Sequence, residues 1–126
     1  MKTFQDFVAD AKTRITEITP ADFKQWMDEG RQFTLIDTRE ESEYAVGKFG
    51  NAVHVARGVL ELKIDGVQPQ RDALIVVYCG GGNRSALVAD VMQQMGYTNV
   101  YSLAGGWKNW PYDQAHKNIA PSACSL

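Results

Sequence analysis

The run Leu74–Tyr78 (LIVVY), with CGGGNRS directly behind it, constrains this chain more than any other feature. Apolar and aromatic residues in unbroken succession leave no polar face for water, so the run predicts a strand covered on both sides. Beyond CGGGNRS, the residues Leu87, Val88, Val91, Met92 and Met95 recur at helical spacing up to Gly96. Cys79 is therefore expected just past the end of a buried strand, separated by glycines from a helix start.

The flanking sequence extends the same pattern. Residues 3–14 suit a short amphipathic helix, with Phe4, Phe7, Val8 and Ala11 on one face. After Ile15–Ile18, Thr19 is placed to cap a second helix, Pro20 at its first position and Asp22 three residues past the cap. Phe23, Trp26 and Met27 supply its apolar face, and Gly30 ends it. Phe33–Asp37 reads as a strand followed by the charged turn TREESEY and a short helix. GKFGN reads as a glycine-rich turn before a short strand at Val53–Val55, and Gly58–Ile64 suits a brief helix. Val100–Leu103 predicts a further strand, GGWKNW opens the closing segment, and the tail after Trp110 reads as loosely packed. Strands alternating with helices imply an α/β domain, a parallel sheet with helices on both faces. In such sheets ligands sit beyond the carboxyl ends of the strands, where Cys79 falls.

With 126 residues the chain suits one domain, with 44% apolar and 22% charged residues. A formal charge of -2 offers no electrostatic footprint for nucleic acid or an anionic membrane. Any bound anion must be attracted by a few aimed groups. The opening MKTFQDFVADAKTR has no apolar stretch suited to a signal peptide or a membrane span. Cys79 and Cys124 are the only cysteines, so no disulfide framework is implied. Together with His54 and His116 they show no metal-ligand spacing, and neither metal nor cofactor is expected. A reducing cytoplasm is the simplest setting.

A cysteine between strand end and helix start has specific chemistry. The unpaired N–H groups and positive dipole end of the helix face the sulfur and lower its pKa, populating the thiolate. Gly80, Gly81 and Gly82 let the backbone curl, aiming successive N–H groups inward as an anion cradle. Asn83, Arg84 and Ser85 complete the loop; Arg84 brings a permanent charge to the rim or braces the loop through a carboxylate. A cysteine after a buried strand is, taken alone, more often a small core residue. The combination of strand end, cysteine, glycines, arginine and helix favours a nucleophile.

Strand–CGGGNRS–helix resembles the active-site loop of rhodanese-like domains: a cysteine, four residues, an arginine and often a serine. ITPADFKQWMDEG is similar to that family's opening strand and helix, IDTREESEYAVGKFGNAVHV to its D-x-R-…-E-Y stretch, and GYTNVYSLAGGWKNW to its closing segment. The resemblance implies a doubly wound fold around a five-stranded parallel sheet. It divides the chain into an N-terminal helical extension (1–14), the rhodanese-like domain (15–112) and a C-terminal tail (113–126). It implies sulfur transfer of the thiosulfate sulfurtransferase class. Cys79 would take sulfur from thiosulfate, a polysulfide or a persulfide and pass it to cyanide, a thiol or a protein acceptor, with no nucleic-acid or membrane partner. Fold-sharing cysteine phosphatases carry five residues between cysteine and arginine; here Gly80–Asn83 are four, a tighter cradle suited to one sulfur atom. The alternatives are a non-catalytic binding module and, behind it, a phosphatase or arsenate reductase.

Asp37 and Arg39, at the end of another strand, are expected near the same rim. Asp37 or Glu40 would brace the loop through Arg84, while Arg39 fixes the neighbouring turn. Gly80 and Gly81 replace the bulky or cationic residues of many relatives, which predicts an open pocket mouth and modest use of thiosulfate. His54 is expected to be a structural or surface residue. Cys124 is expected to be an exposed thiol with a resolving role as its alternative, and Leu103, Trp107 and Trp110 to close the core.

Overall fold

The apolar run of the sequence analysis becomes β5 (Ile75–Tyr78), every residue of it buried, at the middle of a five-stranded sheet. The computed structural model describes residues 1–121. The other strands of the sheet are β1 (Thr16–Ile18), β2 (Thr34–Asp37), β4 (Val53–His54) and β6 (Val100–Leu103). Their order is β1-β6-β5-β2-β4, and each adjacent pair is parallel.

Alternation along the strands divides the interior in two. Ile36, Ile75, Val77 and Val100 face a layer built from α4 (Leu60–Val67) and α5 (Asn83–Gln94), through Leu60, Ile64, Val88, Ala89 and Met92. Against the outer side of α5 lies α1 (Phe4–Lys12), which buries Val8 and Ala11. Arg14 locks it there with two 2.8 Å hydrogen bonds to Asp90. On the other face, Leu35, Val76, Tyr78 and Leu103 meet Phe23 of α2 (Pro20–Asp28) together with Phe49 and Trp110. Trp107 packs, half-buried, on the same cluster. Thr19 caps α2 by accepting the Asp22 N–H at 3.1 Å, and Pro20 stands at its first turn, as their sequence positions predict. Helices on both faces of a parallel sheet make the fold the doubly wound α/β type.

Two strands depart from the expectation. The stretch read as a glycine-rich turn forms β3 (Gly47–Phe49), which follows α3 (Glu41–Val46). It pairs antiparallel with β7 (Lys117–Ile119), inside the segment read as a loose tail. Strands of three residues carry no legible periodicity, and this pair joins Lys48 to Asn118 across most of the chain. Among the described residues, no helix is long and apolar enough to cross a membrane.

Candidate active site

β5 ends at Tyr78 and α5 begins at Asn83, so the chain must turn within Cys79–Gly82. Gly82 does this at φ +90°, in the left-handed region, and caps the helix. A Cβ there would stand 3.0 Å from the Gly105 nitrogen and 3.4 Å from the Leu103 carbonyl oxygen, so space as well as conformation demands glycine. The outside of the loop is tied to the turn after β6. Trp107 N–H donates to the Cys79 carbonyl and Lys108 N–H to the Gly80 carbonyl, both at 2.8 Å. Gly106, at φ +61°, allows that approach; any Cβ on it would overlap the Cys79 carbonyl oxygen. With the carbonyls of Cys79 and Gly80 bound outside, amides further along the loop turn in.

Their target is the Cys79 sulfur, buried at the loop's floor with 1% of the residue exposed. Gly82 N–H donates to Sγ at 3.1 Å and Ser85 N–H at 3.3 Å, and the Ser85 hydroxyl lies 3.5 Å away. Burial alone pushes the thiol pKa up. The Ser85 hydroxyl and the amides of Ser85, Gly81 and Gly82 outweigh it, leaving Cys79 below the ordinary thiol value. The sulfur is therefore walled by hydrogen-bond donors on its loop side.

Arg84, in the first turn of α5, donates to Glu43 of α3 through Nη1 at 2.9 Å and Nη2 at 3.3 Å. This corrects the expected brace: the carboxylate that holds Arg84 is neither Asp37 nor Glu40. Asp37 is fully buried and committed to Arg39, accepting from its backbone N–H at 2.9 Å, from Nε at 3.0 Å and from Nη2 at 2.7 Å. Arg39 in turn donates to the Gly47 carbonyl at 2.6 Å and lies over the Trp107 ring at 4.6 Å. Asp37 and Arg39 thus join the end of β2 to β3 and to the turn that backs the cysteine loop. Glu40 caps α3, and its N–H donates to Glu43 at 3.0 Å.

The predicted loop residues Cys79 to Ser85 all gather here, with Asn83 the first residue of α5. Sequence reasoning missed Glu43, Ser102 and the backbone of Trp107 and Lys108. Glu43 carried a usable signal, standing in the E-Y pair and three residues past a helix cap at Glu40. The expected open mouth is only half present. At Gly81 nothing lies within 4 Å of where a Cβ would be. At Gly80 the corresponding point is 3.0 Å from Arg84 Nη2, 3.5 Å from Lys108 Cε and 3.8 Å from Glu43 Oε2. Long side chains from separate elements fill the space that the missing one leaves. His54 stacks on Tyr44 and its Nε2 sits 2.7 Å from the Arg39 carbonyl oxygen. Cys124 lies outside the described residues.

A family model for the rhodanese-like domain matches residues 19–112. The chain belongs to the rhodanese-like family. Among curated proteins it is 37% identical, over 102 residues, to the tRNA uridine(34) hydroxylase of Cupriavidus taiwanensis, covering 74% of this chain and 36% of that protein. The chain thus spans well under half the length of that relative. A solved structure from Rhodopseudomonas palustris, a protein of unknown function described as a possible tyrosine phosphatase, superimposes with a TM-score of 0.83. It is 29% identical, over 95% of this chain and 96% of that one. The thiosulfate sulfurtransferase of Pseudomonas aeruginosa is 31% identical with a TM-score of 0.68, over 76% of this rhodanese-like chain and 18% of the larger one.

Proposed function

We propose that this rhodanese-like protein is a sulfurtransferase that carries sulfane sulfur as a Cys79 persulfide. The observation that carries the reading is the Cys79 sulfur receiving two backbone N–H groups, from Gly82 and Ser85, beside the Ser85 hydroxyl. Donors aimed at a buried sulfur favour its ionised form, and an ionised sulfur is the nucleophile that the reaction needs.

In the first half-reaction the thiolate attacks the outer sulfur of thiosulfate, a polysulfide or a persulfide. The new S–S bond forms as the donor's own S–S bond breaks, and sulfite or the shortened donor leaves with the electron pair. In the second, cyanide or an acceptor thiolate attacks the outer sulfur and Cys79 departs as thiolate. Charge is negative throughout, so one cradle of N–H groups serves every stage. The two steps balance without metal or cofactor. Lys108 flanks Gly80, beside an Arg84 whose charge is taken up by Glu43, and so favours an anionic donor at that side of the mouth. A cytoplasmic setting, where thiol acceptors are plentiful, belongs to the same proposal.

The test is mass spectrometry of the whole protein after a panel of donors. A gain of about 32 Da on Cys79, absent in Cys79→Ser, is the expected result. No adduct from any donor, with Cys79 still open to alkylation, would favour a binding module instead.

The likeness to the Rhodopseudomonas palustris protein raises a phosphatase reading. The loop of four residues between Cys79 and Arg84 is short for a tetrahedral phosphoryl group, and Arg84 is already held by Glu43. Turnover of a phenyl phosphate that disappears in Cys79→Ser would reverse the order of the two readings.

The hydroxylase relatives raise a third reading, in which this unit serves a tRNA-modifying protein. Its formal charge of -2 argues against RNA binding by this chain alone. Micromolar binding of tRNA at physiological salt would bring that reading forward.

A further inference from the structure

Behind Ser85, on β6, lies a second buried hydroxyl that the sulfur transfer above does not use. Ser102 and Ser85 are both fully buried, and their Oγ atoms are 2.9 Å apart. Ser85 Oγ is in turn 3.5 Å from Cys79 Sγ. Three polar side chains thus form a line, Ser102 to Ser85 to Cys79, with both hydroxyls fully buried behind the sulfur. Ser102 pairs in register with Val77 of β5, in the centre of the sheet, where an apolar side chain would ordinarily stand.

A hydroxyl has one proton and two lone pairs. Ser85 therefore cannot donate to Cys79 and to Ser102 at once. When the sulfur is ionised it can only accept. The arrangement that satisfies every member then has Ser102 donating to Ser85 Oγ and Ser85 donating to Sγ. With the sulfur protonated, the line can run the other way.

We propose that Ser102 is a positioning residue for Cys79, turning the Ser85 hydroxyl toward the sulfur by donating its own proton to Ser85 Oγ. Hydrogen bonds to an ionised acceptor are stronger than neutral ones, and each bond in a line polarises the next. The forward direction is therefore the better stabilised, and Ser102 tilts Cys79 toward thiolate without touching it. The inference rests on Cys79 working as a thiolate and needs no sulfur donor, so its failure would leave the sulfurtransferase reading in place.

The test is the titration of Cys79 by ultraviolet thiolate absorbance, in a Cys124→Ser background so that one thiol is read. Two substitutions of nearly equal shape separate the hydroxyl from the packing. Ser102→Val is expected to raise the Cys79 midpoint by about half a pH unit, and Ser102→Thr to restore it. Ser85→Ala is expected to raise the midpoint further. Adding Ser102→Ala to Ser85→Ala should then change nothing more, because Ser102 acts only through Ser85. Equal midpoints for Ser102→Val and Ser102→Thr, or full additivity in the double variant, would overturn the proposal. Ser102→Ala, which only removes an atom from the core, supplies the same comparison if Ser102→Val fails to fold.

Discussion

The Arg84 guanidinium grips the Glu43 carboxylate with two hydrogen bonds, 2.9 and 3.3 Å long, joining the first turn of α5 to α3. Glu43 Oε1 also accepts the Glu40 N–H at 3.0 Å, so one carboxylate anchors α3 at its own start and holds the arginine of the cysteine loop. The loop is thereby braced on one side by this ion pair and on the other by the Trp107 and Lys108 amides.

Arg84 holds the Glu43 carboxyl at about 2, well below its ordinary value of 4.5. A depressed carboxylate contributes stability that is complete above its unfolded pKa and is lost as pH falls toward the folded one. Glu43→Gln is therefore expected to lower stability by about 1 kcal/mol at neutral pH, since both partners are partly exposed. The gap from the unsubstituted protein should stay constant above pH 4.5 and close between 4.5 and about 2. Urea unfolding at a series of pH values measures it.

Asp37→Ala should be far more costly. It leaves the Arg39 guanidinium in a site where its side chain is 4% exposed and has lost its charge partner. Breaking a buried pair on one side costs about 3–5 kcal/mol. Urea unfolding near neutral pH measures the loss. A change within about 0.5 kcal/mol would refute the structural role given to this pair.

Gly106→Ala is expected to damage the loop from outside. The new Cβ would overlap the Cys79 carbonyl oxygen, and the residue's φ of +61° disfavours any side chain. We expect a loss of about 1–3 kcal/mol in stability. Cys79 alkylation near neutral pH should also slow, as the Gly82 and Ser85 amides lose their aim on the sulfur. The second effect distinguishes loop displacement from general destabilisation.

Lys108→Glu tests the cation beside Gly80. For thiosulfate, a dianion, KM should rise about five-fold with kcat nearly unchanged, the size of an exposed charge reversal. The rise should shrink with added salt. A neutral organic polysulfide should show no such change. Equal KM for thiosulfate in both proteins would remove Lys108 from donor binding.

The cysteine loop was readable because its parts are contiguous. LIVVY states a buried strand through composition alone, Cys79 is fixed at its end, and the spacing of Leu87, Val88, Val91 and Met92 states the helix. Thr19, Pro20 and Asp22 likewise announced α2 within four positions. The carboxylate partner of Arg84 was not readable in the same way. The E-Y pair and the capping position mark Glu43 among the acidic residues of that stretch, but nothing local says that Arg84, 41 positions on, is its partner. β3 and β7 were missed because three-residue strands are stabilised by each other rather than by any pattern of their own.

By itself, the order of residues determined that a thiol would follow a strand fully enclosed by apolar neighbours and precede a helix, and so what kind of chemistry the chain could support. Which carboxylate grips Arg84, which backbone amides hold the outside of the loop, and which hydroxyl stands behind Ser85 were decided only in three dimensions. Propensity and periodicity act over a few consecutive residues, whereas those partners lie 41, 28 and 17 positions away and meet only when the sheet and its helices pack.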